Sequence, residues 1–157
     1  MEKLKKILLV SLIVIGLGLL IFGAIHFLVQ VNNKSVNDII DILYKNVPAN
    51  KKAMYYTIDD ENFYDFLGNA KFKYRSAVAS TPLAEDVIHQ VVLIEVEKDA
   101  DVGKIMQDIA NNINFDKYNE KIKAEDVIIK NNGNLIIYIV IEDESVRKII
   151  SDEFDRL

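Results

Sequence analysis

The sequence predicts an α+β fold carried behind one N-terminal transmembrane helix. Three observations predict it: an unbroken apolar run at residues 7–29, a change of apolar spacing from helical to alternating after Lys71, and an Asn-Gly turn between two strand-like segments near the C-terminus. The expected order is the membrane helix, two short helices, then a ββαββα unit. Its four strands should form a mainly antiparallel sheet packed by helices.

The apolar run extends from Ile7 to Val29, with His26 as its only strongly polar side chain. At about 1.5 Å per residue, a helix of that length crosses the ~30 Å hydrocarbon core. A cleavable signal peptide has a shorter apolar core, roughly 7–15 residues, and a small-x-small exit. Phe27-Leu28-Val29-Gln30-Val31 offers no such exit, and a chain without Cys cannot carry a lipidated N-terminal cysteine. The run is apolar on every face, unlike the amphipathic helix of a soluble protein. It reads as an uncleaved signal anchor embedded in the lipid bilayer. Lys3, Lys5 and Lys6 set its topology from a stub at residues 1–6, whereas only Lys34 and Lys45 follow it closely. Basic residues beside a span stay cytoplasmic, so the N-terminus is expected inside the cell membrane and the remainder outside. Gly16, Gly23 and Ala24 share a seam of small residues along which another helix could approach in lipid. The spacing is not a strict GxxxG, and an ordinary glycine-containing anchor explains it too. His26 lies near the outer boundary, where its ring reaches the headgroups.

Residues 30–34 form a short linker. A segment of that length extends to at most about 18 Å, which keeps the domain at 35–157 close to the bilayer. That domain is large enough for one core without disulfides. With Glu2 and the three N-terminal lysines set aside, the formal charge of −5 becomes about −7. Such a balance argues against nucleic acid as a partner and against electrostatic adhesion to anionic headgroups. Asn33-Lys34-Ser35 matches the N-glycosylation triplet. In a membrane-hugging chain with the Lys, Ile and Asn usage of an AT-rich bacterial genome, the match is read as coincidence.

Ser35, followed by Asp38, suits a helix N-cap with an acidic first turn. Val36, Ile39, Ile40 and Leu43 keep helical spacing, and Pro48 ends the segment. Asp59 or Asp60 can cap a second short helix carrying Phe63, Phe66 and Leu67, with Gly68 as its stop. From Lys71 the period becomes two. Phe72, Tyr74 and Val78 point one way and Lys71, Lys73 and Arg75 the other, until Thr81-Pro82 breaks the run. A second strand is expected over Ile88–Glu97. One antiparallel register places Lys71 opposite Glu97, Lys73 opposite Glu95, Phe72 opposite Val96 and Tyr74 opposite Ile94, so that charged and apolar sides match together.

Asp99 is read as the cap of a helix with Val102, Ile105, Met106, Ile109 and Ile113 on its apolar stripe. Glu125–Lys130 and Leu135–Ile141 then flank an Asn-rich turn in which Asn132-Gly133 suits type I′ geometry. Leu135–Ile141 is apolar on both faces and should be covered on both. Asp143 caps a last helix with Val146, Ile149, Ile150 and Phe154 inward. The two later helices are expected on one face, and the early helices over part of the other.

Taken in order, these elements from Thr57 to Phe154 resemble the bacterial family designated domain of unknown function 4358. The matching motifs are Ile58-Asp59-Asp60-Glu61 opening a short helix, Ser76–Thr81 leading into Val91–Val96, and the helix after Lys98-Asp99. Lys130–Asn134 before an apolar strand and Glu142-Asp143 before the terminal helix complete the set. The resemblance implies a small envelope protein of a Gram-positive lineage and supplies no catalytic residues. The chain departs from the pattern in having an apparent transmembrane helix where many relatives look lipid-anchored, and in lacking a Tyr-Gly pair before the short helix.

No catalytic, cofactor or metal site emerges from the motifs. There is no Cys, His89 is the only histidine beyond the anchor, and its place at the start of an apolar strand suits a structural role. No GxSxG, SxxK, phosphate loop, HExxH or dinucleotide fingerprint occurs. Asp99-x-Asp101-x-Gly103 resembles a calcium loop, but its glycine is one place early and Ala110 stands where Glu is needed, so helix capping explains it better. The acidic triplets Asp59-Asp60-Glu61 and Glu142-Asp143-Glu144 sit at helix starts, where negative charge is favourable. The Lys71, Lys73 and Arg75 stripe is either a contact for an acidic partner or anionic polymer, or one side of cross-strand ion pairs with Glu95 and Glu97. The function expected is a non-enzymatic binding or scaffolding module of the bacterial cell envelope, held beside an envelope protein partner. The alternatives are a cell-wall-acting hydrolase using Asp or Glu, marked by convergent carboxylates, and a small-ligand sensor, marked by a sizeable apolar pocket.

Overall fold

Five strands, β1 (Ala53–Thr57), β2 (Ser76–Pro82), β3 (His89–Glu95), β4 (Val127–Asn132) and β5 (Leu135–Ile141), form one antiparallel sheet in the order β1-β2-β3-β5-β4. Among the described residues four α-helices accompany it: α1 (Val36–Leu43), α2 (Phe63–Leu67), α3 (Val102–Asn111) and α4 (Glu144–Phe154). Short 3₁₀ turns occupy Ala49–Lys51, Phe115–Tyr118 and Ala124–Asp126. The computed structural model describes residues 34–82, 84, 87–118 and 121–157. The anchor at 7–29, its lysines Lys3, Lys5 and Lys6, and the Gly16, Gly23 and Ala24 seam lie outside the described residues. Among those described, no helix is long and apolar enough to cross a membrane.

The α+β class holds, with five strands where four were expected. The additional strand is β1, whose Met54-Tyr55-Tyr56 run is exposed on both faces. An edge strand of this kind carries no alternation of buried and exposed residues, which is the signal that identifies a strand in sequence.

The β2–β3 hairpin forms, but Ser76, not Lys73, stands opposite Glu95, and Ala77 opposite Ile94. Residues 71–75 lie outside the strand, although the Arg75 N–H still bonds the Glu95 carbonyl at 2.7 Å, and β2 continues through Thr81 to Pro82. The small side chains of Ser76-Ala77-Val78-Ala79-Ser80 fit a position covered on both faces. Phe72 and Tyr74 instead cluster with Phe63, at 5.6 and 5.7 Å between ring centroids. Pro82 is tolerated because it closes the strand, where a missing N–H costs little.

Alternation in β3 and β5 splits the core. Val91, Leu93, Ile137, Ile139 and Ile141 face α1 and α4, together with Val78. Val92, Ile94, Ile136, Tyr138 and Val140 face α2 and α3, together with Ala77 and Ala79. The two later helices, α3 and α4, therefore lie on opposite faces of the sheet, contrary to the expectation of one shared face. Two apolar faces need two helical layers, and each layer combines one early with one late helix.

Capping follows the chemistry of helix N-termini with one shift of residue. Asp101, rather than Asp99, caps α3 by accepting from Lys104 N at 3.0 Å. Asp143 caps α4 by accepting from Ser145 N at 3.0 Å and Val146 N at 3.2 Å. The β4–β5 turn has Gly133-Asn134 as its central pair, one place later than read, with Gly133 at φ +59°. Register decides this: Ile128 opposes Ile139 on one face and Ile129 opposes Tyr138 on the other, and a one-residue slip would turn each to the wrong side.

Candidate functional site

A cavity of about 430 Å³ opens on the sheet face that carries α2 and α3. It is walled by α2 and the following Gly68-Asn69, by the end of α3 with Asn112 and Asn114, and by Lys117 and Tyr138. That volume lies within the range usual for small-molecule sites.

Lys117 of its wall is held by Gln90, which does not itself line the cavity. This residue follows His89 in β3, so alternation turns it to the opposite face, where it is buried. Its Nε2 donates to the Phe66 carbonyl at 3.0 Å, which leaves Oε1 as an acceptor. Lys117 Nζ donates to that oxygen at 2.8 Å and to the Asp65 carbonyl at 3.3 Å. Tyr118 Oη also donates to Gln90 Oε1, at 3.4 Å, and lies 3.3 Å from Tyr138 Oη. The Lys117 ammonium rests 5.0 Å from the centroid of the Tyr118 ring, a cation–π distance.

Lys117 makes no salt bridge among the described residues; the groups it bonds are a neutral amide and a main-chain carbonyl. Burial of its charged end lowers its pKa, and the Asp65 charge acts in the opposite direction. The residue as a whole is exposed, so the ammonium borders the cavity rather than being sealed beneath it. An ammonium carries three donors, and two are occupied among the described residues. Burial raises the pKa of both Tyr118 and Tyr138, keeping them as hydroxyls.

Gly68 fixes the cavity wall. It sits at φ +61°, and its N–H bonds the Tyr64 carbonyl at 2.9 Å to close α2. A Cβ there would lie 2.5 Å from the Asn112 carbonyl oxygen. The ends of α2 and α3 thus meet at a spacing that only glycine permits. The Asn112 side chain is held in turn by the Asp108 carbonyl at 2.8 Å.

A second polar cluster lies on the other face. Tyr44 Oη contacts Ser80 Oγ and sits 2.5 Å from His89 Nε2. Burial pushes His89 down to about 4, against the opposing influence of the Asp143 charge, and pushes Tyr44 up. The ring is therefore neutral near pH 7. Ser80 is 0% exposed, so this Ser–Tyr–His chain offers no nucleophile to a substrate and acts as a bonded core element, as read for His89.

The carboxylates serve local structure. Asp101 and Asp108 border a groove beside α3. Asp101 is the cap described above, while Asp108 accepts from Lys71 N at 2.6 Å. Among the described residues, Asp65 is the only acidic one on the walls of the Lys117 cavity. Among the described residues, no group of three or more His, Cys, Asp or Glu is placed to hold a metal ion.

Lys71, Lys73 and Arg75 are each exposed, while Phe72 and Tyr74 between them are half-buried. The alternation read from sequence is therefore present without the strand. Arg75 pairs with Glu95 at 3.0 Å, as the ion-pairing alternative anticipated. Lys71 and Lys73 make no salt bridge among the described residues, and the stripe is separate from the Lys117 cavity. Gln90, Lys117, Tyr118 and Tyr138 went unread as a group. Two signals were available: Tyr138 interrupts an aliphatic run, and Gln90 interrupts an apolar strand.

No family model, curated protein or solved structure matches this chain, so the family resemblance rests on its sequence motifs alone.

Proposed function

We propose that this chain is a single-pass membrane protein of the bacterial cell envelope, anchored by residues 7–29 with a cytoplasmic N-terminus. Its extracytoplasmic domain binds a small anionic ligand at the Lys117 cavity. The observation that carries this reading is the Lys117 ammonium. It borders a cavity of about 430 Å³ and, among the described residues, is bonded only to a neutral amide and a carbonyl. Among the described residues no carboxylate bonds this cation, and a ligand's carboxylate or phosphate supplies such a bond. The amides of Asn69, Asn111 and Asn112 along the same walls suit a ligand with further hydroxyl or amide groups.

For the hydrolase alternative, whose mark is a pair of carboxylates converging on a cleft, the Lys117 cavity has one acidic residue on its walls among the described residues, while Asp101 and Asp108, which share the groove beside α3, are engaged by Lys104 N and Lys71 N. The partner-contact reading retains Lys71 and Lys73 as exposed charges, with an acidic envelope protein as the occupant.

The test is thermal unfolding of the full-length protein in mild detergent against a panel of small carboxylates, phosphates and neutral polyols. An anionic member should raise the Tm of the wild type and leave Lys117→Gln unmoved. Equal shifts from neutral polyols, or an anion effect that survives Lys117→Gln, would refute the assignment.

A further inference from the structure

β1 is the outermost strand of the sheet, and among the described residues no strand pairs with its far side. Met54, Tyr55 and Tyr56 are 44%, 39% and 42% exposed. Natural edges are usually blunted by an internal lysine, a proline, a bulge or a covering element. Ala53–Thr57 contains neither lysine nor proline.

The phase of the backbone is fixed by its neighbour. Ile58 N–H bonds the Ala77 carbonyl of β2 at 2.9 Å. Ladder alternation then turns the N–H and C=O groups of Ala53, Tyr55 and Thr57 outward. The Thr57 carbonyl agrees with that phase, since it accepts from the Asn62 side chain at 2.9 Å instead of from β2. A carbonyl has two lone pairs, so this bond leaves it able to accept another.

Charge at the two ends of the strand is opposite. Lys51-Lys52 precede it, and Asp59-Asp60-Glu61 follow it. Lys51 is already paired with Asp143, whereas Lys52, Asp60 and Glu61 are exposed and make no salt bridge among the described residues. A strand with a basic head and an acidic tail is complementary to itself when antiparallel.

We infer that β1 pairs with β1 of a second copy of this chain, antiparallel about a twofold axis at Tyr55, joining the two sheets edge to edge. Tyr55 then faces Tyr55 of the other copy, and Ala53 faces Thr57 through outward hydrogen-bonding groups. Met54 faces Tyr56, extending to the other copy a contact already made within the strand, where Tyr56 Oη lies 3.9 Å from Met54 Sδ. Lys52 stands diagonal to Asp60. Charge selects this register. An axis at Ala53 brings the two lysine pairs together, and one at Thr57 brings the two acidic runs together. Like charges across a strand pair are destabilising, and only the Tyr55 axis sets opposite charges against each other.

The chain contains no Cys, so introduced thiols report alone. Full-length Ala53→Cys and Thr57→Cys chains carrying different tags would be expressed singly and together, then mildly oxidised in native membranes. Hydrogen-bonded antiparallel neighbours have Cα atoms ~5.5 Å apart, inside the ~4.4–6.8 Å window of a disulfide. Identical positions either side of the axis are offset along the strand at ~3.4 Å per residue and lie out of reach. The expected result is a disulfide-linked mixed dimer from co-expression and none from either variant alone. Tyr55→Pro removes the outward N–H on the axis without touching the bonds to β2, and should cut cross-linking at least tenfold. Lys52→Glu should also reduce it, and Lys52→Glu with Asp60→Lys in the same chain should restore it. No mixed dimer, cross-links from one variant alone, or capture of a different protein would overturn the inference. A dimer held only through the Gly16/Gly23 seam belongs with those negative outcomes, since it gives no cross-link between positions 53 and 57.

Discussion

Acid should weaken this fold through one imidazole. His89 is 6% exposed and bonded through Nε2 to the Tyr44 hydroxyl at 2.5 Å, at the start of β3. Burial pushes its pKa down to about 4 from an ordinary 6.5. The unfolded chain therefore takes up the proton first, and stability rises with pH across the interval between those values. The contribution is fully present above pH ~6.5 and is lost as the pH falls through ~4. At ~1.36 kcal/mol per pH unit, the interval corresponds to about 3 kcal/mol, a large share of a small domain's stability. The Asp143 cap does not fail in the same window. Hydrogen bonds from Lys51, Ser145 and Val146 hold its carboxyl well below the usual carboxylate range, so it stays charged there. The assay is urea unfolding of the full-length protein in detergent at intervals from pH 7.5 to 4, followed by near-UV dichroism of the tyrosines, because the chain has no Trp. Wild type should lose about 3 kcal/mol more over that range than His89→Gln, whatever the starting stability of the variant. Parallel pH curves for the two proteins would refute the buried neutral imidazole.

Gly68→Ala should destabilise the protein by about 2–4 kcal/mol, since it adds backbone strain and a methyl group against the Asn112 carbonyl. Gly133→Ala meets nothing within 4 Å and should cost only the turn strain, about 1–2 kcal/mol; comparable urea midpoints for the two would sink the close-approach argument. A single Cys placed at Tyr64, which is 64% exposed, should react with a membrane-impermeant maleimide in intact cells if the domain lies outside; labelling only after lysis would reverse the topology. Lys71→Glu with Lys73→Glu should leave the unfolding free energy within about 0.5 kcal/mol of wild type while releasing an acidic partner from mildly solubilised membranes; unchanged co-purification would remove the partner reading.

Segments whose pattern follows directly from burial were legible in the sequence. Leu135–Ile141 reads as covered on both faces because each of its faces meets a helical layer. Asp143 reads as a cap because an orphan N–H needs an acceptor wherever a helix begins. Arg75 and Glu95 were legible as neighbours in charge, though not in register. The hairpin register failed because Phe72 and Tyr74 mimic an inward strand face, while their true partner is Phe63, in a helix distant along the chain. β1 failed for the opposite reason: an edge exposed on both faces leaves no periodic trace. The cavity was illegible because its groups come from β3, β5, α2 and a 3₁₀ turn, and no local spacing connects Gln90 with Lys117.

His89 and Gln90 are adjacent in β3, both are polar, and both are buried, yet they do different work because a strand sends successive side chains to opposite faces. On the α1/α4 face, His89 meets Tyr44 and Ser80, and every member of that chain finds its partner inside the core. Such a network rigidifies the packing and commits its hydroxyls and the His89 Nε2 to one another. On the α2/α3 face, Gln90 meets an ammonium with a donor to spare beside a cavity. The difference lies in bonding. On the α1/α4 face the polar groups bond one another, and His89 reaches a cavity of about 250 Å³ only by an edge of its ring, whereas Gly68 lets α2 and α3 touch at their ends, and the space next to that contact holds an ammonium with a donor to spare. Filling it with a larger residue at Asn111, on the rim, should therefore abolish ligand shifts at Lys117 while sparing the His89-dependent acid response. A single substitution that altered both would mean that the two faces are coupled through β3, and the assignment of separate roles would fall.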